Sequence, residues 1–116
     1  MNDGSGLSRN NAITVNQMVD ILKYMKTKSK NKEVFMRSLP IAGESGTLKG
    51  MCRKTSGKGR VQAKSGSMTR VRSYAGYVNS QNNKEIVFAV IVNNFTCSSS
   101  QMRKKLELLF DAMAEY

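Results

Sequence analysis

The chain is 116 residues long and carries 19 Lys and Arg against 8 Asp and Glu, a formal charge of +11 with no histidine. This length allows one compact domain at most, and the lack of histidine removes Ser-His and Cys-His catalysis together with histidine-dependent metal sites. No apolar run approaches the roughly 20 residues needed to cross a bilayer; the longest, residues 86–92, suits a buried strand.

A loop of small and polar residues, 3–11, opens the chain. Thr14 can cap a helix, with Gln17 closing a capping box and Ile13 against Met18 as a hydrophobic staple. Val15, Met18, Val19, Leu22 and Met25 recur at helical spacing, so the helix is expected to run to about Lys28 with one apolar face. A short helix over residues 33–37 should stop before Pro40, because proline pushes Leu39 to an extended conformation. Glycines punctuate the region to Arg60, which is expected to be loop with one helical turn near residues 47–51.

The period then changes to two. Residues 60–64 read as a strand leading into Lys64-Ser65-Gly66-Ser67, and residues 69–78 as a second strand with Val71, Ser73, Ala75 and Tyr77 on one face. Residues 79–83 are a turn. Residues 85–93 are a third strand, apolar throughout 86–92 and expected to be covered on both faces. Ser98 and Gln101 form a second capping box, with Cys97 and Met102 as staple, opening a helix whose apolar face is Met102, Leu106, Leu109, Phe110 and Met113. The fold class is α+β: a three-stranded antiparallel meander flanked by helices.

The basic residues fall in several stretches (23–32, 49–60, Arg70 with Arg72, and 103–105) without a nucleic-acid motif. They read as solvated surface, with no specific nucleic acid as partner. A small basic module for nucleic acid or an anionic surface is the rival reading; its aromatics Tyr74, Tyr77 and Phe88 do not form an exposed stacking row. Cys52 and Cys97 have neither zinc nor Cys-x-x-Cys spacing and read as free or packed thiols. The eight carboxylates are scattered rather than paired for acid–base work. The first residues have neither the basic flank nor the apolar stretch of a secretory signal.

Four blocks occur in order: Asp3-Gly4-Ser5-Gly6-Leu7-Ser8; Ser38-Leu39-Pro40-Ile41-Ala42-Gly43 followed by Gly46-Thr47-Leu48; Val61-Gln62-Ala63-Lys64-Ser65-Gly66-Ser67; and Tyr74-Ala75-Gly76-Tyr77. Together they resemble the C-terminal part of class C low-molecular-mass penicillin-binding proteins, which are serine D-alanyl-D-alanine carboxypeptidases and endopeptidases. The resemblance implies that residues 1–116 are a segment of a penicillin-binding, transpeptidase-like (β-lactamase-like) catalytic domain. It implies an exported hydrolase of the periplasm or cell envelope that cleaves peptidoglycan stems ending in D-Ala-D-Ala. Such an enzyme works through an acyl-enzyme, without metal or cofactor, and is acylated by β-lactams.

Site residues follow residue by residue. Lys64 and Ser65 would hold the substrate's terminal carboxylate, Gly66 would clear space, and the backbone N–H of Ser67 would be one oxyanion donor. The family's Ser-x-x-Lys and Ser-x-Asn motifs are expected upstream of residue 3. Ser29-Lys30-Asn31-Lys32 and Ser80-Gln81-Asn82 match them formally but sit in a polar connection and a hairpin turn. The segment alone is therefore expected to be inactive, and to self-associate through an exposed apolar sheet edge or face.

Overall fold

The computed structural model describes Met1–Tyr116. Helices α1 (Val15–Thr27) and α2 (Lys32–Ser38) precede a single 3₁₀ turn (Gly46–Leu48). Strands β1 (Val61–Met68), β2 (Val71–Asn79) and β3 (Glu85–Asn93) follow, and α3 (Ser99–Glu115) ends the chain. The sheet has the order β1-β2-β3 with both pairings antiparallel, the meander expected from the short connections.

Local chemistry sets the helix starts. Thr14 Oγ1 accepts from the Gln17 N–H and the Gln17 side chain accepts from the Thr14 N–H; Ser98 and Gln101 repeat the exchange at α3. Two orphan donors are satisfied at each end. Leu39, ahead of Pro40, is extended at φ −86° and ψ 129°, which ends α2.

Packing departs from the expected pattern in two places. On α3 the buried stripe is Met102, Leu106, Phe110 and Ala114, with Leu109 left 42 % exposed at the margin. On α1 only Leu22 is buried. On β3 only Phe88 is buried. Ile86, Val90 and Val92 pack on the α3 side and Val87 on the α1 side, so both faces have the expected cover, but the strand lies at an open edge and its side chains stay partly exposed.

Two clusters hold the layers together. The larger sets Val61, Ala63, Tyr74, Val78 and Phe88 of the sheet against Met102, Leu106, Phe110 and Ala114 of α3, with Ala42, Leu48, Met51 and Cys52 closing one side. Tyr74 meets Phe110 edge-to-face at 5.2 Å. On the opposite face Leu22, Leu39 and Tyr77 pack together, and the Tyr77 hydroxyl donates to the Leu22 carbonyl at 2.6 Å. Burial raises the pKa of that phenol, with Glu85 adding to the rise. The 43–60 loop is tied to α3 by the Gly57 N–H donating to Asp111 at 2.9 Å and Ser56 Oγ donating to Glu115 at 2.6 Å.

The β1–β2 hairpin also differs from its expected limits. β1 runs through the Lys64-Ser65-Gly66-Ser67 stretch to Met68, and the turn is Thr69-Arg70. Arg70 adopts φ 57° and donates to the Asn94 and Phe95 carbonyls, each at 3.3 Å. A left-handed arginine held by tertiary bonds leaves none of the usual turn residues in the sequence.

Candidate functional site

The two halves of β1 have different surroundings. Val61 and Ala63 are fully buried, whereas Lys64, Ser67 and Met68 are exposed and Ser65 and Gly66 half-buried. The change comes where a short strap, Pro40-Ile41-Ala42, leaves the strand's outer edge. The Ala42 N–H donates to the Val61 carbonyl at 2.9 Å, and the Ala63 N–H donates to the Pro40 carbonyl at 3.0 Å. Residues two apart in an antiparallel strand direct their peptide groups the same way. The N–H and C=O groups of Ser65 and Ser67 therefore face outward, beyond the strap, with no strand beside them.

Along this open stretch the sequence-predicted residues lie together. Lys64 Nζ curls over the edge and donates to the Ser65 carbonyl at 2.7 Å, and it belongs to none of the molecule's ion pairs. Ser65 Oγ donates to Thr47 Oγ1 at 2.8 Å. Gly66 lies opposite Ser73, and a Cβ there would come within 2.6 Å of Ser73 Oγ, a hydroxyl that would have to turn aside. Ser67 is the cross-strand partner of Arg72, whose Nε is buried without a hydrogen-bond partner.

A cation, a hydroxyl and outward N–H groups on an edge strand form a surface that can receive an extended peptide with a carboxylate end. Thr47 and Arg72 were not among the predicted site residues. Thr47 lies in a recognised landmark block, so its fixed position was visible while its partner was not. Arg72 reads in the sequence as surface charge.

The two formal serine motifs are turns. Ser80 is fully buried and its Oγ accepts from the Lys84 N–H at 3.1 Å; Ser29 Oγ accepts from the Asn31 N–H at 3.1 Å. The opening loop is organised by Asp3, whose carboxylate accepts from Ser5 Oγ at 2.8 Å, the Ser8 N–H at 3.0 Å and Asn11 Nδ2 at 2.6 Å. These bonds, led by those from Ser5 and Asn11, hold its pKa below the usual aspartate value.

Some of the basic residues are gathered rather than spread. Lys49, Arg53, Lys54 and Lys58, none in an ion pair, line an open depression of about 310 Å³ beside Gly43. Tyr74, Tyr77 and Phe88 are only 2, 3 and 7 % exposed, which rules out their serving as a base-stacking platform and disfavours the nucleic-acid alternative. No helix is long and apolar enough to cross a membrane.

Known proteins are similar to this chain in sequence and in fold. The chain is 39 % identical over 98 residues to a D-alanyl-D-alanine carboxypeptidase of Actinomadura sp. (strain R39), covering 80 % of this chain and 18 % of the relative. It is 37 % identical over 98 residues to penicillin-sensitive carboxypeptidase A of Dictyostelium discoideum, covering 79 % and 19 %. With the D-alanyl-D-alanine carboxypeptidase DacB of Haemophilus influenzae it is 31 % identical over 112 residues, covering 89 % and 22 %. The chain thus spans about a fifth of the length of these curated relatives.

Crystal structures of penicillin binding protein 4 (dacB) from Haemophilus influenzae superpose closely. One, in complex with a β-lactam, gives a TM-score of 0.85 at 27 % identity over 98 % of this chain and 28 % of that one. Another gives 0.87 at 26 % identity over 100 % and 27 %. The D-Ala-D-Ala carboxypeptidase 3 (S13) family profile matches residues 1–114, and the chain belongs to that family of penicillin-binding carboxypeptidases.

Proposed function

We propose that residues 1–116 form the carboxylate-binding wall of a serine-type D-Ala-D-Ala carboxypeptidase or endopeptidase. The whole enzyme is a hydrolase of the periplasm or cell envelope, acting on peptidoglycan stems through an acyl-enzyme and acylated by β-lactams. The observation that carries this reading is the open outer edge of β1, where Lys64, Ser65 and Ser67 follow one another just past the strap.

On this reading the D-Ala-D-Ala end lies along that edge as an added strand. The ammonium of Lys64 and the hydroxyl of Ser65 take its terminal carboxylate. Gly66 lets the substrate backbone approach. The Ser67 N–H points at the scissile carbonyl oxygen and stabilises the oxyanion as the tetrahedral intermediate forms. The nucleophilic serine, its own N–H as second oxyanion donor, and its lysine base come from residues other than these. Support comes from the family membership and from the turn roles of Ser29 and Ser80. By itself the 116-residue chain is inactive and self-associates through β3.

The test is made on the full-length gene product in intact cells, labelled with a fluorescent penicillin that does not enter the cytoplasm. Wild-type protein is expected to be labelled and, once purified, to release D-Ala from a D-Ala-D-Ala peptide. Lys64→Ala should lower kcat/KM by about 10²–10³, the loss typical of removing one preorganised electrostatic contact. An unlabelled wild type, or Lys64→Ala with unchanged kcat/KM, would overturn the proposal.

A further inference from the structure

Thr47 is the one side chain that meets the Ser65 hydroxyl, and the surrounding architecture fixes it there. Its 3₁₀ turn is held from inside, with Leu48 fully buried and the Leu48 carbonyl accepting from the Gly43 N–H at 3.0 Å and the Met51 N–H at 2.9 Å. It is held from outside by Pro40. Gly46 adopts φ +53°, and a Cβ there would come within 2.9 Å of Pro40 Cγ, so conformation and close approach both require glycine. Pro40 is in turn fixed to β1 through the Ala63 N–H, and the Ile41 N–H donates to Ser45 Oγ at 2.9 Å. The path leaves β1 at Ala63, runs through the strap and the turn, and returns to β1 at Ser65 through the bond between the two hydroxyls.

A hydroxyl has one proton and two lone pairs. The Ser65 and Thr47 hydroxyls lie 2.8 Å apart, and a bond in which Ser65 donates uses the proton that a substrate carboxylate needs. With a carboxylate present, both groups are satisfied if Thr47 donates to Ser65 Oγ and Ser65 donates to the carboxylate. No proton is transferred; the two O–H groups only rotate. A hydrogen bond into a chain that ends on a charge is strengthened by it.

We infer that Thr47 is a positioning residue for carboxylate recognition, acting through Ser65 and set in place by the strap and the Gly46 turn. The inference rests on the substrate-binding role proposed above for Ser65. It accounts for why Leu39-Pro40-Ile41-Ala42-Gly43 and Gly46-Thr47-Leu48 accompany Lys64-Ser65-Gly66 in one chain.

The experiment measures acylation of the full-length enzyme by a penicillin and by the same penicillin with its carboxylate masked as a methyl ester. Thr47→Val, of equal size at an exposed position, should slow acylation by the free acid roughly tenfold or more, the loss of one hydrogen bond in a charge-bearing chain. The same variant should react with the ester at the wild-type rate, and Thr47→Ser should restore the free-acid rate. In a Ser65→Ala background, Thr47→Val should cost nothing further. Equal losses with acid and ester, an unchanged free-acid rate, or additive losses in the double variant would overturn the inference. A wild-type enzyme that neither ligand acylates would instead overturn the proposed function, and this inference with it.

Discussion

The two edges of the sheet are finished in different ways. On β1 the strap takes up the outward backbone groups of Val61 and Ala63 and then stops, leaving Ser65 and Ser67 open beside an unpaired lysine. On β3 nothing but β2 pairs with the backbone over the whole length Glu85–Asn93, and the side chains are apolar from Ile86 to Val92. Open edges attract other strands, and proteins guard them with charge or cover. The β1 edge is guarded except over a short polar window, which suits a peptide of defined length and charge. The β3 edge has no such guard and suits a strand of any apolar sequence. Ile91 is 36 % exposed there, and Ile86, Ala112, Met113 and Tyr116 line an apolar depression at the end of the same strand.

The largest expected effect breaks one edge and spares the other. Gly76 lies opposite Ala63 on one side and Phe88 on the other. A Cβ at Gly76 would come within 2.6 Å of the Ala63 Cα, a backbone atom that cannot move alone. Gly76→Ala is expected to force β1 away from β2 and cost about 1–3 kcal/mol or more, as overpacking does. Denaturant unfolding of the full-length protein measures the loss; amide exchange should show β1 opening before β3. Equal protection in both strands would contradict the distinction.

A smaller effect concerns β3. Sedimentation of the 116-residue chain is expected to show a dimer at micromolar concentration, and Ile91→Lys should return it to monomer by placing a charge on the unguarded strand. A wild-type chain that stays monomeric at high concentration would remove the proposed self-association.

The smallest effect compares the interior behind each edge. Cys52 is a buried residue of the 43–60 loop, and burial, with Asp111 and Glu107 adding repulsion, pushes its thiol up to about 11 from 9.0. Cys97, after β3, is only half-buried. At pH 8 an alkylating reagent should modify Cys97 and leave Cys52 untouched. Between about pH 9 and 11 the folded state keeps the Cys52 proton while the unfolded chain releases it. Unfolding then releases a proton, so this contribution to stability is intact below pH 9 and declines as pH rises through that window. Tyr77, also raised by burial, acts in the same direction as pH rises above the ordinary phenol value of 10.0. Rapid Cys52 alkylation in the native protein would show that the loop opens.

Features with a local cause could be read directly. Both capping boxes, the end of α2 before Pro40 and the full length of β3 follow from residues within a few positions of one another. The Thr69-Arg70 turn could not be read this way, because its left-handed arginine is stabilised by the distant Asn94 and Phe95 carbonyls. The substitution of Ala114 for Leu109 in the buried stripe of α3 depends on which side of that helix meets the sheet. Periodicity names a face only to within a residue or so.

The site divides along the same line. Pairing with β2 carries β1 on through Ser65, Gly66 and Ser67, whereas the order and spacing of its blocks in the amino-acid sequence were enough to bring a strand to Lys64, leading into those residues, and to point to the family. Those properties are carried by contiguous residues. Only the tertiary structure decided which edge of that strand is closed by the strap, that its open part begins at Ser65, and that Thr47, 18 positions earlier in the chain, bonds the Ser65 hydroxyl. Each of these depends on a second segment folding back onto β1, and no local preference of β1 specifies where that segment will end.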